Sequence, residues 1–330
     1  MAVIRNTING LLLAELTNRI PVILWQNRFI YRNSDTAIDE NSFIKYFKSN
    51  GLTDLSPVQI GPKTFAPTCW NTSNIGQDNL VDYRSNENRV GIKPLSPADI
   101  ISSNAHVVVY THYQHLVDII PLIPNNNEYY GLCDRILSRR LYKKYFTLTD
   151  KVIDIVDRNR EMFVGRARSI GVHIRGSDKI SEYALVTPRA FKKAISRFMH
   201  ISDVLFLASD SDAAYKQFKK WYGDKMVAID CQRSPNNRGI HFSAADRERA
   251  GRDFIVDAYL LSQCDYHCGN HGSHMSYFVQ SMVRTHGEPY DNFYNINATF
   301  GARLSRLITY TTPLIGRRMV KKLLFVRNNQ

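Results

Sequence analysis

Hydrophobic and polar positions divide the chain into two stretches of different regularity. The first half is irregular. Apolar positions from Ile4 to Leu16 recur at helical spacing, and Ile20–Trp25 reads as a strand. Residues Ser56 to Asp99 are polar and rich in Asn and Pro, which predicts loops, and Val107-Val108-Val109-Tyr110 is a β-branched strand. A basic helix follows at Asp134–Tyr145, then a helix at Lys151–Phe163 carrying Val152, Ile155 and Val156 on one side. The second half is regular. Strands are predicted at Ser169–Arg175, Val204–Ala208, Met226–Ile229 and Asp265–Cys268. Helices are predicted from Thr187-Pro188 to about Met199, and at Ser211–Tyr222, Arg249–Gln263 and Ser273–Val283, with Thr187 as a cap and Pro188 in the first turn. Strands alternating with helices imply crossover connections, hence an α/β fold with a parallel sheet covered by helices on both faces. Ligands of such sheets lie beyond the carboxyl ends of the strands.

Composition sharpens this picture. At 330 residues, with 44% hydrophobic and 22% charged residues, the chain is globular and long enough for two domains. Eighteen Tyr and sixteen Phe suit sugar or base stacking and equally suit a packed core. The five cysteines, Cys69, Cys133, Cys231, Cys264 and Cys268, are odd in number in a chain too large to need disulfides, so reduced thiols are expected. Apolar Gly10–Ala14 is interrupted by Glu15, and no run is long enough to cross a bilayer. These features read as a soluble, cytoplasmic protein. The net charge of +13 asks for an acidic partner. Part of it sits in residues 301–330, where Arg303, Arg306, Arg317, Arg318, Lys321, Lys322 and Arg327 are interleaved with apolar residues and no Asp or Glu occurs. Two readings of this tail stay open: a peripheral contact with an anionic membrane, at its inner face, or a terminal helix packed on the domain. Nucleic acid is the weaker partner, since no recognition motif is present and the basic residues do not interleave with aromatics on one element.

Candidate chemistry collects where the strands end. In Gly171-Val172-His173-Ile174-Arg175-Gly176-Ser177-Asp178-Lys179, strand alternation puts His173 and Arg175 on one side. An Arg ending an apolar strand needs an anion, and its planar fork suits a diphosphate. The alternative is a structural Asp beside it. Gly176 leaves room for a ligand near the backbone. Asp210 ends the second strand, while Ser211 or Asp212 reads as the cap of the next helix. Asp257 lies on the apolar stripe of Phe254 and Leu261 and must be hydrogen-bonded, either to neighbouring backbone or to a ligand's donor edge. Gly269-Asn270-His271-Gly272-Ser273-His274 leads into a helix whose free amides form a phosphate site. Cys264, His267, Cys268, His271 and His274 have the chemistry of zinc ligands, but a strand and the following helix start splay such side chains apart, so no metal is expected.

These motifs resemble a known family. Ile170–Lys179, Leu205-Phe206-Leu207-Ala208-Ser209-Asp210 and the run Ile255–Tyr266 together are similar to the α-1,6-fucosyltransferases, which include rhizobial Nod-factor and animal core fucosyltransferases. Leu12–Val22 is similar, more weakly, to the start of bacterial relatives. The resemblance implies a GT-B-like fold of two Rossmann-like domains and an inverting, metal-independent transfer of fucose from GDP-fucose, with no cofactor. It implies Arg175 on the β-phosphate, His173 and Asp257 on guanine, and Ser273 and His274 near the phosphates. Gly176, Lys179, Asp210 and Gly272 complete the donor set. Asp178, Lys179 and Glu182 fall on the acceptor side, with Glu182, then Asp178, as the base. The expected division is an acceptor-side domain over 1–165, a nucleotide-sugar domain over 166–300 and the basic tail over 301–330. The sequence departs from the family in three ways. Gly176 stands where animal members carry a second Arg, Glu182 lies one position closer to Arg175 than the family's base, and the strand and glycine loop expected before the first helix are missing. The expected acceptor is a surface-polysaccharide precursor or lipid-linked glycan, with a soluble oligosaccharide open. Another nucleotide-sugar as donor, or a catalytically impaired nucleotide-binding relative, are the alternatives.

Overall fold

The computed structural model of the chain describes residues 2–25, 29–33, 40–75, 95–111, 115–163, 168–176, 186–235, 239–240, 244–270, 273–282 and 293–296. The chain divides into two compact units, Met1–Asp154 with Arg247–Arg252, and Ile155–Asp246 with Asp253–Gln330.

In the first unit, α1 (Ala2–Leu16) buries Ile4, Ile8, Leu11, Leu12 and Leu13. Short elements α2 (Ser56–Gln59), β1 (Phe65–Ala66), α3 (Pro97–Ser102), β2 (Val107–Val108) and α4 (Leu116–Ile119) follow, with β1 and β2 paired in parallel. Helix α5 (Asp134–Tyr145) begins with an acidic first turn and ends with Lys143 and Lys144, both favourable to the helix dipole. It is tied to α1 where Lys144 Nζ meets Glu15 Oε1 at 2.5 Å and the Tyr145 hydroxyl donates to the same oxygen. Aromatic residues form the core here, with Trp25 edge-on to Phe43 and Phe47, and Phe47 edge-on to Phe146. The strand expected at 20–25 does not form. The Asn41 side chain takes over two of the backbone groups that a neighbouring strand would have bonded. Its Oδ1 accepts from the Trp25 N–H at 2.9 Å and its Nδ2 donates to the Ile23 carbonyl at 2.6 Å. Local side-chain bonds of this kind compete directly with a ladder.

The second unit holds the regular part. After α6 (Asp150–Arg160) come β3 (Ser169–Ile174), α7 (Pro188–Ile195), β4 (Val204–Ser209), α8 (Asp212–Tyr222), β5 (Met226–Val227), α9 (Arg247–Leu261), β6 (Tyr266–Asn270), α10 (His274–Met282) and β7 (Phe293–Ile296). Thr187 caps α7 through the Ala190 N–H ahead of Pro188, and Ser211 caps α8 through the Ala214 N–H at 3.3 Å. Of the two cap candidates, Ser211 serves, and Asp212 instead pairs with Lys216 at 2.7 Å.

All five strands run parallel in the order β5-β4-β3-β6-β7. One face, carrying Ile170, Val172, Ile174, Leu205, Leu207 and Cys268, packs on Phe191 and Ile195 of α7 and Phe218 of α8. Full burial of each such aromatic contributes about 1.5–3 kcal/mol. The opposite face meets α9 and α10: a Cβ at Gly171 would touch Leu261 and Cys264, and His173 bonds Ser276. Strands β3 and β4 are buried throughout, as the apolar runs predicted for a doubly covered sheet. Strand β7 was absent from the sequence reading. Phe293-Tyr294-Asn295-Ile296 is short and only partly apolar, and its extended form comes from pairing with β6 over His267↔Phe293 to Asn270↔Ile296.

Candidate functional site

Strand order locates the site before any side chain is considered. From β3 the sheet grows through β4 to β5 on one side. The chain then returns to place β6 and β7 on the other, so the direction of growth reverses between β3 and β6. The two crossovers leave a crevice at the carboxyl ends of these adjacent strands, where open α/β sheets bind ligands. His173, Arg175, Asn270 and the start of α10 all lie at this edge.

Arg175 follows the last residue of β3 and is fixed from both neighbouring strands. Its Nη1 lies 2.6 Å from Asp210 Oδ2, with both side chains about a tenth exposed (12% and 9%). The other oxygen, Asp210 Oδ1, accepts from the Gly176 N–H at 2.9 Å. From β6, Asn270 Oδ1 accepts from the Arg175 N–H at 2.9 Å. The guanidinium is therefore preorganised, and the structural-Asp partner weighed from the sequence is present as Asp210. Pairing with Asp210 does not use up an Arg, whose five donors can serve a carboxylate and a phosphate together. Gly176 also meets a packing constraint. A Cβ there would lie 2.9 Å from Ser211 Cβ, so its lack of a side chain lets the end of β3 pass the α8 cap. A second Arg at this position meets the same obstacle.

His173 is 5% exposed, and its Nδ1 lies 2.9 Å from Ser276 Oγ on α10. Burial, reinforced by the Arg175 charge, lowers its pKa to about 3, so the imidazole is neutral. Gly269 makes this approach possible, since a Cβ there would lie 2.6 Å from Ser276 Oγ. Helix α10 opens at His274, directly after buried Ser273, whose N–H reaches the Asn270 carbonyl at 3.3 Å. The N-terminus of α10 thus lies at the carboxyl end of β6, and a helix N-terminus favours an anion. Asn270 is fully buried, and among the described residues its Nδ2 has no acceptor.

Asp257 on α9 is 7% exposed, and among the described residues its Oδ1 has no hydrogen-bond donor. Burial holds its carboxyl well above the usual carboxylate range, Arg233 opposing and Asp253 adding to the shift. Arg233 comes from the loop after β5. It stacks over the Tyr215 ring, 4.2 Å from the centroid, and donates to the Ile229 carbonyl at 2.9 Å.

The structure thus joins Arg175, Gly176 and Asp210 in one hydrogen-bonded group at the sheet edge, bonds His173 separately to Ser276 of α10, and places Ser273 and His274 at the start of that helix. Asp178, Lys179, Glu182, Gly272 and the tail 301–330 lie outside the described residues. Sequence reasoning passed over Asn270, Ser276 and Arg233. Asn270 carried the same signal as Arg175, a polar residue ending a buried strand, whereas Ser276 and Arg233 become visible only through their partners. Of the cysteine and histidine cluster, His271 lies outside the described residues, Cys268 packs with the α7/α8 face, His267 stacks on Phe293 at 5.6 Å, and Cys264 lies under Gly171. Among the described residues, no three His, Cys, Asp or Glu side chains are grouped to hold a metal, and no helix is long and apolar enough to cross a membrane.

No family model and no curated protein sequence matches the chain. Its similarity lies in solved structures. NodZ α-1,6-fucosyltransferase soaked with GDP-fucose superposes with a TM-score of 0.58 at 19% identity, over 85% of this chain and 88% of that one. Fucosyltransferase NodZ from Bradyrhizobium gives 0.55 at 19% identity, over 84% and 87%. A mutant of Arabidopsis thaliana FUT1 in complex with GDP gives 0.50 at 12% identity, over 86% and 66%. The α/β architecture expected from the sequence is thus borne out, and the chain has the fold of these GT-B fucosyltransferases.

Proposed function

We propose that this protein is a glycosyltransferase that takes its sugar from a GDP-linked donor, GDP-fucose, and transfers it to a hydroxyl of a glycan. The observation that carries the reading is the Arg175 clamp beside the α10 N-terminus at the switch point of the sheet. The ligands named with the similar structures, GDP-fucose and GDP, support the same donor class here.

In this reading Arg175 and the first-turn amides of α10 take the β-phosphate, with Ser273 and His274 at the same helix start. Cleavage of the sugar–phosphate bond places negative charge on the departing diphosphate. Donors already fixed by Asp210 and Asn270 stabilise it without reorganising. His173, neutral and oriented by Ser276, and Asp257 take the base. The acceptor hydroxyl attacks the anomeric carbon from the face opposite the diphosphate, inverting it, and gives its proton to a carboxylate. Glu182, then Asp178, are the proposed bases, and Lys179 lies in the same segment. The charge on the leaving group is carried by protein donors alone, so the transfer is read as metal-independent. The acceptor is proposed to be a surface-polysaccharide precursor or lipid-linked glycan, met by a cytoplasmic enzyme held peripherally at the inner membrane face through the basic residues of 301–330.

Isothermal titration with GDP and with UDP in the presence of EDTA tests the donor reading. GDP-selective binding is expected, together with GDP release from GDP-fucose in preference to release of nucleotide from GDP-mannose or UDP-sugars. Equal or absent binding of both nucleotides overturns it.

A further inference from the structure

Asp253 and Asp257 stand one turn apart on α9, and each is only 7% exposed. Residues four apart share a helix face, so two carboxyl groups face the same buried surroundings, where a like charge opposes ionisation of either. The loop after β5 supplies a cation. Arg233 Nη2 donates to the Ile229 carbonyl at 2.9 Å, Nη1 to the Cys231 carbonyl at 3.4 Å, and the guanidinium lies over the Tyr215 ring. Among the described residues its buried Nε still has no acceptor, and Asp257 Oδ1 has no donor. Buried polar groups left open in this way call for a ligand or a rearrangement on binding. The groups acting on Asp257 are Asp253 on its own helix, Arg233, and Cys231, whose thiol burial keeps protonated by raising its pKa to about 12.

The chemistry of the base decides which form of Asp257 is useful. A carboxylic acid offers one donor and one acceptor, which suits the edge of adenine. A carboxylate offers two acceptors, which suits the adjacent ring and exocyclic N–H groups of guanine. We propose that Arg233 is a positioning residue for base recognition: its fixed charge lets Asp257 lose its proton to solvent as guanine docks, so that GDP binding is linked to proton release and discriminates against adenine. This inference rests on the GDP-donor reading above.

The test is calorimetry with GDP and ADP in buffers of different ionisation enthalpy, over about pH 6 to 8, on the wild type, Asp257→Asn, Arg233→Met and Arg233→Lys. The phosphates titrate alike in every protein, so the difference from Asp257→Asn isolates the Asp257 proton. Wild type is expected to release up to about one proton more than Asp257→Asn, with GDP affinity rising by up to about tenfold per pH unit while Asp257 is protonated in the free protein. Arg233→Met, which keeps the stem over Tyr215, is expected to bind GDP about tenfold or more weakly at the acid end. The gap should narrow as pH rises and GDP-over-ADP selectivity should fall, with Arg233→Lys partly restored, as one charge-assisted contact predicts. A purely structural role for Arg233 lowers both nucleotides equally at every pH, and that result overturns the inference. So does GDP binding with the same proton count in wild type and Asp257→Asn, which leaves the donor reading standing. Absence of GDP binding to the wild type removes both.

Discussion

Replacing Arg175 by Ala tests the centre of the site, and the structure sets the size of the effect. Asp210 Oδ2 lies 2.6 Å from the guanidinium, so the wild-type pair presents no net charge of its own, while a guanidinium can serve a carboxylate and a phosphate together. The substitution removes the cation and leaves a largely buried carboxylate near the diphosphate. A unit charge about 5 Å from a phosphate charge, at an effective dielectric near 20, is worth about 3 kcal/mol. Loss of the Arg attraction alone therefore weakens GDP binding about 100-fold, since each 1.4 kcal/mol or so is tenfold. Asp210, without the Arg175 charge beside it, then repels the ligand by an amount of the same order. Asp210→Asn in the Arg175→Ala background removes that repulsion, and the amide oxygen still accepts the Gly176 N–H. The double variant should recover at least about tenfold in affinity, a non-additivity expected of residues in direct contact. Titration calorimetry of the wild type, both single variants and the double variant with GDP measures this cycle. An Arg175→Ala protein binding GDP within about threefold of wild type, or a double variant no better than Arg175→Ala, refutes the charge reasoning.

Two further outcomes follow from the same edge of the sheet. Gly176→Ala forces a Cβ to within 2.9 Å of Ser211 Cβ at the α8 cap. It should cost about 1–3 kcal/mol and lower Tm, and an unchanged melt would show that the strand end shifts freely. His173 has an ordinary pKa of 6.5 and a folded-state pKa of about 3, so below 6.5 the unfolded chain binds a proton that the folded chain refuses. Stability is therefore lost as pH falls, with a slope approaching about 1.4 kcal/mol per pH unit until the folded value is reached. His267, lowered to about 4 mainly by its burial, acts in the same direction. His173→Asn should spare about 2 kcal/mol of the loss between pH 7 and pH 5 in denaturant melts, and an unchanged acid loss would contradict the buried neutral imidazole.

Much of the second unit was legible in the residues. Apolar runs such as Val204–Ala208 and Ile170–Ile174 can be nothing but interior strands once helices flank them, and caps such as Thr187 and Ser211 mark where those helices start. Arg175 announced itself by its placement, since a permanent charge ending a buried strand requires a partner. The first unit was less readable, because its chain pairs through side chains and single turns. Asn41 bonding Trp25 and Ile23 is a contact across sixteen to eighteen positions that no periodicity encodes.

The local chemistry was determined by the amino-acid sequence alone: which segments are strands, where the helices begin, and which polar residues stand at strand ends. Backbone sterics, capping and burial act over a few residues, so their signals are local too. Only the tertiary structure decided the strand order, and with it the reversal between β3 and β6 that creates the crevice. It alone brought Asp210 and Asn270 to Arg175 across 35 and 95 positions of sequence, set Ser276 against His173, and put Arg233 into the field of Asp257. Those choices depend on which faces bury each other, a property of the whole packed sheet that no segment carries by itself.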